Sequence, residues 1–132
     1  MSFFPTPTSE QSMHQGSCHC GAVRFRFSLS PPLSEYPVVS CNCSICSKNG
    51  YLLVYPSLKD FTLESDETTR THQFGRRQAK HEFCGTCGSS CFIRLVAEDA
   101  PPIIAVNVSE PVYRKAQKWY KLNYKMVDGK SF

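Results

Sequence analysis

The chain has 132 residues, of which 41% are hydrophobic, and this size and composition are typical of one globular domain. Its formal net charge of +4 is too small to indicate a nucleic-acid partner, and no run of about 18 apolar residues predicts a membrane span. The composition therefore argues against membrane and nucleic-acid partners, while it leaves the oligomeric state open.

The N-terminal residues 1–15 differ in composition from the rest of the chain. They combine Phe3, Phe4, Pro5 and Pro7 with Ser and Thr, and they lack the basic start and apolar core of a signal peptide. We expect this segment to form a poorly ordered lead-in to a single domain over residues 16–132.

Short apolar segments with alternating side chains dominate the rest of the chain and predict β-strands. In the clearest segment Val23, Phe25 and Phe27 share one face, which is the period of a half-buried strand. Further strand candidates are residues 36–40, 51–55, 61–64, 69–74, 80–83, 91–96, 103–108 and 122–126. A short helix is expected over residues 110–119. The sequence therefore predicts a mainly β protein.

The cysteines are the strongest functional signal in the sequence. There are eight, arranged in CxC and CxxC motifs with one left over: Cys18, Cys20, Cys41, Cys43, Cys46, Cys84, Cys87 and Cys91. The two residues of a CxC pair are poor disulfide partners, whereas CxxC is a common zinc-ligand spacing. Without a signal peptide we expect a reducing compartment, in which structural disulfides are rare. The sequence therefore predicts a cytoplasmic protein that binds zinc through thiolates.

The number of ligands divides the cysteines between two zinc ions. A structural zinc site needs four protein ligands, which two of the cysteine pairs supply. The triplet Cys41, Cys43 and Cys46 can hold a second ion alone and leave its fourth position open, as catalytic zinc sites do. Alternatively, Cys91 closes that position and both sites are structural. Either arrangement gives two Zn²⁺ per chain.

Three sequence blocks resemble the family of glutathione-dependent formaldehyde-activating enzymes and centromere protein V. They read GSCHCGAVRF at residues 16–25, CNCSIC at residues 41–46 and HEFCGTCG at residues 81–88, in the family's order. The resemblance extends over about residues 16–127. It implies an Mss4-like fold, which is a set of small antiparallel sheets clamped by zinc, and a single zinc-binding domain of this type over residues 16–132.

The resemblance also implies which cysteines hold which ion. A structural zinc is expected on Cys18, Cys20, Cys84 and Cys87, and a catalytic zinc on Cys41, Cys43 and Cys46. Cys91 lies outside the family's ligand pattern, so its possible closure of the second site stays open.

A zinc ion held by three thiolates is a weaker Lewis acid than one held by three histidines. It can still bind a substrate thiol and lower the pKa of that thiol, which suits the making or breaking of a carbon–sulfur bond. The resemblance implies a zinc-dependent carbon–sulfur lyase that acts on a small-molecule thiol adduct. The implied reaction is S-hydroxymethylglutathione ⇌ glutathione + formaldehyde, or that of a related glutathione conjugate or aldehyde.

The alternative function is a non-catalytic zinc module that binds protein or nucleic acid. The centromeric branch of the family allows it, and the basic and aromatic residues interleaved over 113–125 could stack on bases and meet phosphates. A C-terminal lid over the zinc site, or an amphipathic element with its lysines in water, fits the same composition.

Two further groups of residues lie next to the cysteine motifs. His81, three residues before Cys84, is a candidate catalytic residue that could move a proton, or else it packs beside the metal site. Lys48, Asn49 and Gly50 follow the cysteine triplet and are candidates for binding the carboxylates of a glutathione-like substrate, or else they form an ordinary polar turn.

Overall fold

The computed structural model describes residues 5–108 and the backbone of residues 123–127, which form two β-sheets and one short α-helix. In chain order the elements are β1 (Ser12–Ser17), β2 (Arg24–Leu29), β3 (Pro37–Cys41), α1 (Ser44–Asn49), β4 (Leu53–Val54), a 3-10 turn (Leu58–Asp60), β5 (Phe61–Ser65), β6 (Thr69–His72), β7 (Ala79–Cys84), β8 (Ser90–Leu95), β9 (Ile104–Asn107) and β10 (Asn123–Val127). The mainly β fold predicted from the sequence is confirmed.

The two sheets differ in size. The smaller has the strand order β1-β2-β5, and the larger has the order β10-β3-β4-β9-β8-β7-β6. The pairings are antiparallel except for β10 and β3, which run parallel with Val127 opposite Cys41. The expected set of antiparallel sheets therefore contains one parallel pair, and this pair includes β3, the strand that ends at the first cysteine of the triplet.

Strand β1 corrects part of the prediction for residues 1–15. Residues 12–15 are not an unstructured lead-in, because β1 pairs with β2 along its whole length, from Ser12 opposite Leu29 to Ser17 opposite Arg24. The apolar alternation that predicts a strand is missing here, because the more buried positions of β1 are Ser, His and Gly. Residues 1–4 lie outside the described part of the chain.

The helical predictions also differ from the structure. Helix α1 was not predicted, because six residues that include a cysteine and four polar side chains carry no amphipathic period. The helix expected over residues 110–119 lies outside the described residues, whereas the strand expected over residues 122–126 corresponds to β10. Within the described residues, no helix has the length and apolar character needed to cross a membrane.

The central strands of the large sheet are buried on both faces. In β9, Ile104 and Val106 face one apolar cluster, while Ala105 between them faces another. Strands β3 and β4 alternate in the same way, as do Phe92 and Ile93 of β8, because successive side chains of a strand point to opposite faces of the sheet. The large sheet therefore separates two cores, one against the small sheet and one on the side of α1.

Aromatic side chains fix the small sheet against the large one. The ring of Phe92 on β8 meets Phe25 of β2 and Phe61 of β5 edge-on, at centroid distances of 5.5 and 5.3 Å. A buried aromatic pair in this geometry contributes about 1 kcal/mol beyond its buried area. These contacts hold the loop after β1, which carries Cys18 and Cys20, close to the end of β7.

His14 on β1 gives the fold a sensitivity to acid. Burial lowers the pKa of His14 from 6.5 to about 4, and its Nε2 lies 2.6 Å from the hydroxyl of Ser12, which accepts a hydrogen bond from the Leu33 N–H. A pKa that is lower in the folded state means that the unfolded chain binds the proton more readily. Stability is therefore lost as the pH falls from about 6.5 towards 4.

The variant His14→Gln tests this acid sensitivity. Because the ring is only partly buried, we expect its penalty at pH 5 to be about 1 kcal/mol after allowance for solvent screening. Denaturant unfolding of wild type and variant at pH 7.5 and pH 5 should show a smaller loss of stability in the variant. Equal losses in the two proteins would contradict the assignment.

Candidate metal centres

Four cysteines from three segments converge at one end of the sheets. Cys18 and Cys20 lie in the loop after β1, Cys84 ends β7, and Cys87 lies in the turn that leads to β8. Their four sulfur atoms all lie within 4.8 Å of one another. We refer to Cys18, Cys20, Cys84 and Cys87 as the four-cysteine group.

The sulfur separations in the four-cysteine group fit a tetrahedral ion. Cys20 Sγ lies 3.6 Å from Cys18 Sγ and 3.7 Å from Cys84 Sγ. Zinc–sulfur bonds of about 2.3 Å at tetrahedral angles place the sulfurs about 3.8 Å apart, whereas a disulfide needs about 2.05 Å. The donor set therefore fits a zinc-like cation and does not fit a disulfide.

Hydrogen bonds converge on Cys84 and favour its thiolate form. Its sulfur accepts from the backbone N–H groups of Thr86 and Cys87 at 3.3 and 3.5 Å and lies 3.2 Å from the hydroxyl of Thr68. Burial acts to raise the pKa of Cys84, but these hydrogen bonds outweigh it and lower the pKa to about 7. The turn therefore stabilises Cys84 as a thiolate, which is the form that binds a cation.

Cys87 is biased in the same direction. Burial again acts to raise its pKa, while the side chain and backbone of Ser89 lower it, and the result is a pKa of about 5. The Ser89 hydroxyl lies 3.3 Å from the Cys87 sulfur. The same hydroxyl accepts a hydrogen bond from the His19 N–H at 3.0 Å, so Ser89 links the two loops that carry the ligands.

The backbone of the turn after β7 leaves no room for a side chain at Gly85. The Gly85 N–H donates to the Thr68 carbonyl at 2.7 Å, and a Cβ at this position would lie 2.7 Å from Arg70 Cγ and 3.1 Å from the Thr68 carbonyl oxygen. Gly88 closes the turn with a φ of +81°, which favours glycine. The glycines of HEFCGTCG thus shape the turn that holds two of the sulfurs.

Three further cysteines converge around the N-terminus of α1. Cys41 ends β3, Cys43 is the residue before the first helical position, and Cys46 lies within the helix. Their sulfur atoms also lie within 4.8 Å of one another, and the Cys43 N–H donates to the Cys41 sulfur at 3.5 Å. We refer to Cys41, Cys43 and Cys46 as the three-cysteine group.

Electrostatics in the three-cysteine group favour binding of a cation. Burial raises the pKa of Cys46, and the nearby sulfurs of Cys41 and Cys43 raise it further. For Cys43, hydrogen bonds from Cys46 and its neighbours outweigh burial and lower the pKa. Three adjacent sulfurs repel one another as thiolates, and a divalent cation removes that repulsion.

Cys91 lies on the other side of the large sheet from the three-cysteine group. It belongs to the same apolar cluster as Cys18 and Cys84, is 1% exposed, and directs its thiol to the Ser89 carbonyl at 3.4 Å. Burial raises the pKa of Cys91 to about 12, which keeps it a neutral thiol. Among the described residues, the three-cysteine group therefore consists of three sulfurs, without Cys91.

Both cysteine groups lie within a part of the chain that matches a known family. Residues 13–120 match the family model of the glutathione-dependent formaldehyde-activating enzyme. The chain belongs to this family. The match contains all seven cysteines of the two groups, so this family member presents two clusters that could hold metal ions.

Similar proteins support the same family assignment. A Halomonas elongata protein, named provisionally as a glutathione-dependent formaldehyde-activating enzyme, is 35% identical over an alignment of 88 residues, and the alignment covers 60% of this chain. The aligned part is 54% of that relative, so the chain spans about half the length of the curated protein it matches. A crystal structure of a Rhodobacter sphaeroides protein superposes with a TM-score of 0.63 at 30% identity, covering 84% of this chain and 99% of the other.

The structure places Lys48, Asn49 and Gly50 at the end of α1. Lys48 and Asn49 form its last turn, and Gly50 caps it with a φ of +61° and donates its N–H to the Cys46 carbonyl. The predicted loop is thus a helix end, for which Gly50 supplies the left-handed conformation. Lys48 is exposed and lies in the same helix as Cys46. Its proposed contact with a substrate stays a prediction.

His81 lies on β7 within a stack of aromatic rings in this family member. It is 7% exposed, and its Nδ1 lies 3.1 Å from the hydroxyl of Tyr51. Burial lowers the pKa of His81, with a further contribution from His72, so the ring is neutral at pH 7. Sequence reasoning missed Tyr51, whose only signal is its position five residues after Cys46.

Proposed function

We propose that this protein is a zinc-dependent carbon–sulfur lyase that cleaves and forms S-hydroxymethylglutathione or a related glutathione conjugate. The observation that carries the proposal is the inequality of the two cysteine groups. One gathers four sulfurs, whereas the other gathers three within the described residues. Four thiolates complete a structural zinc site, and three leave a position for a ligand from outside the chain.

The four-cysteine group is proposed to hold the structural zinc. Its ligands come from the loop after β1 and from the turn between β7 and β8, so an ion there ties the small sheet to the large sheet. Its sulfurs already accept several N–H and O–H hydrogen bonds, which is typical of closed thiolate sites. We therefore assign it to stability rather than to catalysis.

The three-cysteine group is proposed to hold the catalytic zinc. Zinc bound there would supply a Lewis acid that lowers the pKa of a thiol, so that glutathione is held as the thiolate at neutral pH. Cys41 and Cys43 are partly exposed, which leaves the group open to a small molecule, while Cys46 is buried. We propose that exposed Lys48, together with Asn49 and Gly50, meets a carboxylate of that thiol.

A reducing compartment such as the cytoplasm suits this proposal. The eight cysteines are all free, and glutathione is the thiol that keeps cysteines reduced in that compartment. Two Zn²⁺ per chain follow from the two groups, each with a donor set that zinc prefers. The side chains of residues 113–125, which suggested a nucleic-acid or protein module, lie outside the described part of the chain, so that alternative rests on the sequence alone.

Exchange NMR tests the proposed reaction. In a mixture of glutathione and formaldehyde, the zinc-loaded protein should accelerate exchange between the free aldehyde and its hydroxymethyl adduct beyond the spontaneous rate. A matched mixture with 2-mercaptoethanol should show little acceleration if the carboxylates of glutathione are recognised. No acceleration by protein that carries two zinc ions would contradict the proposed function.

A further inference from the structure

Tyr51 packs in the same core as Cys46, the buried member of the three-cysteine group. It follows α1, its N–H donates to the Cys46 carbonyl at 3.1 Å, and it is only 2% exposed. Its ring shares an apolar cluster with Cys46, against which Cys41 and Cys43 pack. A substrate sulfur bound beside these cysteines would have its hydroxymethyl oxygen only two bonds away, in the surroundings of Tyr51.

The Tyr51 hydroxyl lies within a polar group of side chains, in which His81 is its partner at a measured distance and Asn49 and Ser90 also hydrogen-bond to it. The hydroxyl lies 3.1 Å from Nδ1 of His81, and the two rings stack at a centroid distance of 5.9 Å with an interplanar angle of 18°. Phe74 also stacks on His81, at a centroid distance of 5.6 Å. The two ring contacts hold the imidazole with its Nδ1 at hydrogen-bond distance from the Tyr51 hydroxyl.

The chemistry of this pair suits proton exchange, because a phenol and an imidazole can each donate and accept a proton. A neutral imidazole has one N–H donor and one acceptor nitrogen, and either can face the tyrosine. When Nδ1 accepts the Tyr51 proton, the phenol oxygen can accept another. When Nδ1–H donates a hydrogen bond to the Tyr51 oxygen, Tyr51 can donate its own proton to another group.

We infer that Tyr51, held by His81, is the group that exchanges a proton with the hydroxyl of the hydroxymethyl adduct. This inference rests on the proposed lyase function. In cleavage, the adduct O–H passes its proton to the Tyr51 oxygen while the Tyr51 proton moves to Nδ1 of His81. The C=O bond forms, the C–S bond breaks, and its electron pair stays on sulfur as the thiolate. In adduct formation each transfer runs backwards.

The variant Tyr51→Phe tests the proton exchange, because it deletes one oxygen from a buried ring. We expect kcat to fall by about 10²-fold with KM changed less than about threefold, and the solvent deuterium isotope effect on kcat to disappear. Elemental analysis should still find the wild-type metal content. The ¹⁵N resonance of His81 Nδ1 should shift, which reports the hydrogen bond without reference to activity.

Two further variants serve as partner and control. His81→Phe keeps the ring stack and removes Nδ1, and the double variant should be no slower than Tyr51→Phe alone if the two residues act as one unit. Tyr36→Phe deletes the hydroxyl of another tyrosine that is 2% exposed, whose oxygen accepts the Tyr55 N–H. It should lose stability and keep wild-type kcat.

The outcomes separate this inference from the proposed function. An active wild type with an equally active Tyr51→Phe variant would overturn the role of Tyr51 and leave the lyase proposal standing. Loss of metal from Tyr51→Phe along with its activity would also overturn it, since the residue would then support the metal site. A wild type without activity would remove the lyase proposal itself.

Discussion

Cys84→Ser should abolish the cooperative unfolding transition of this protein at 25 °C. Cys84 is fully buried and accepts hydrogen bonds from two backbone N–H groups, and its sulfur is one of four that converge from separate segments. A serine oxygen is a poor zinc ligand, and a structural thiolate zinc site contributes about 10 kcal/mol to folding. That is comparable to the whole stability of a small domain, about 5–15 kcal/mol.

Circular dichroism and denaturant titration would check this result, with Cys91→Ala as the matched control. Cys91 is also buried, in the same apolar cluster, but its sulfur belongs to neither group. The control should keep both metal ions and a cooperative transition, with a loss of about 1 kcal/mol for the small cavity. A folded Cys84→Ser variant with near wild-type stability would show that the four-cysteine group does not hold the structural ion.

Cys43→Ser should remove activity while the fold survives. Cys43 occupies the N-cap of α1, where its side chain makes no capping hydrogen bond and where serine is among the preferred residues. The substitution therefore removes a sulfur without harming the helix. We expect a loss of kcat/KM of at least about 10³-fold, because the proposed catalytic zinc loses a ligand.

Metal analysis and thermal unfolding would separate this effect from misfolding. The Cys43→Ser variant should bind one zinc fewer than wild type and unfold within about 1 kcal/mol of it, whereas Ser47→Ala on the exposed side of the same helix should change neither property. Full activity in a variant that lacks the second ion would mean that the three-cysteine group is not catalytic.

The parts of the structure that the sequence predicted are those governed by local spacing. The CxC and CxxC motifs predicted two groups of ligands, and the resemblance to the family implied which cysteines form each group. The structure brings together the sulfurs of those same seven cysteines. Strands with apolar side chains on alternate positions were also predicted, as at Phe25 and Phe27, because burial of one face imposes that period.

The parts that the sequence did not predict depend on contacts between distant residues. Strand β1 is specified by its pairing with β2 rather than by an apolar face of its own. The Tyr51–His81 hydrogen bond joins residues 30 positions apart. It forms because Tyr51, shortly after α1, and strand β7 pack in the same core on the α1 side of the large sheet. The position of Cys91 could not be predicted either. Regular alternation would place Cys91 and Phe92 on opposite faces of β8, but the pairing with β7 shifts register between Glu82 and Phe83, and the two residues share one core.

Cobalt substitution followed by addition of glutathione is the most direct test of two unequal metal centres. Co²⁺ replaces zinc in thiolate sites, and its visible spectrum depends on the ligands around it. We predict two cobalt ions per chain, one of which keeps its spectrum while the other changes when glutathione is added. Two spectra that are both unaffected by millimolar glutathione would show that both centres are closed, and would contradict a thiol-binding site at Cys41, Cys43 and Cys46.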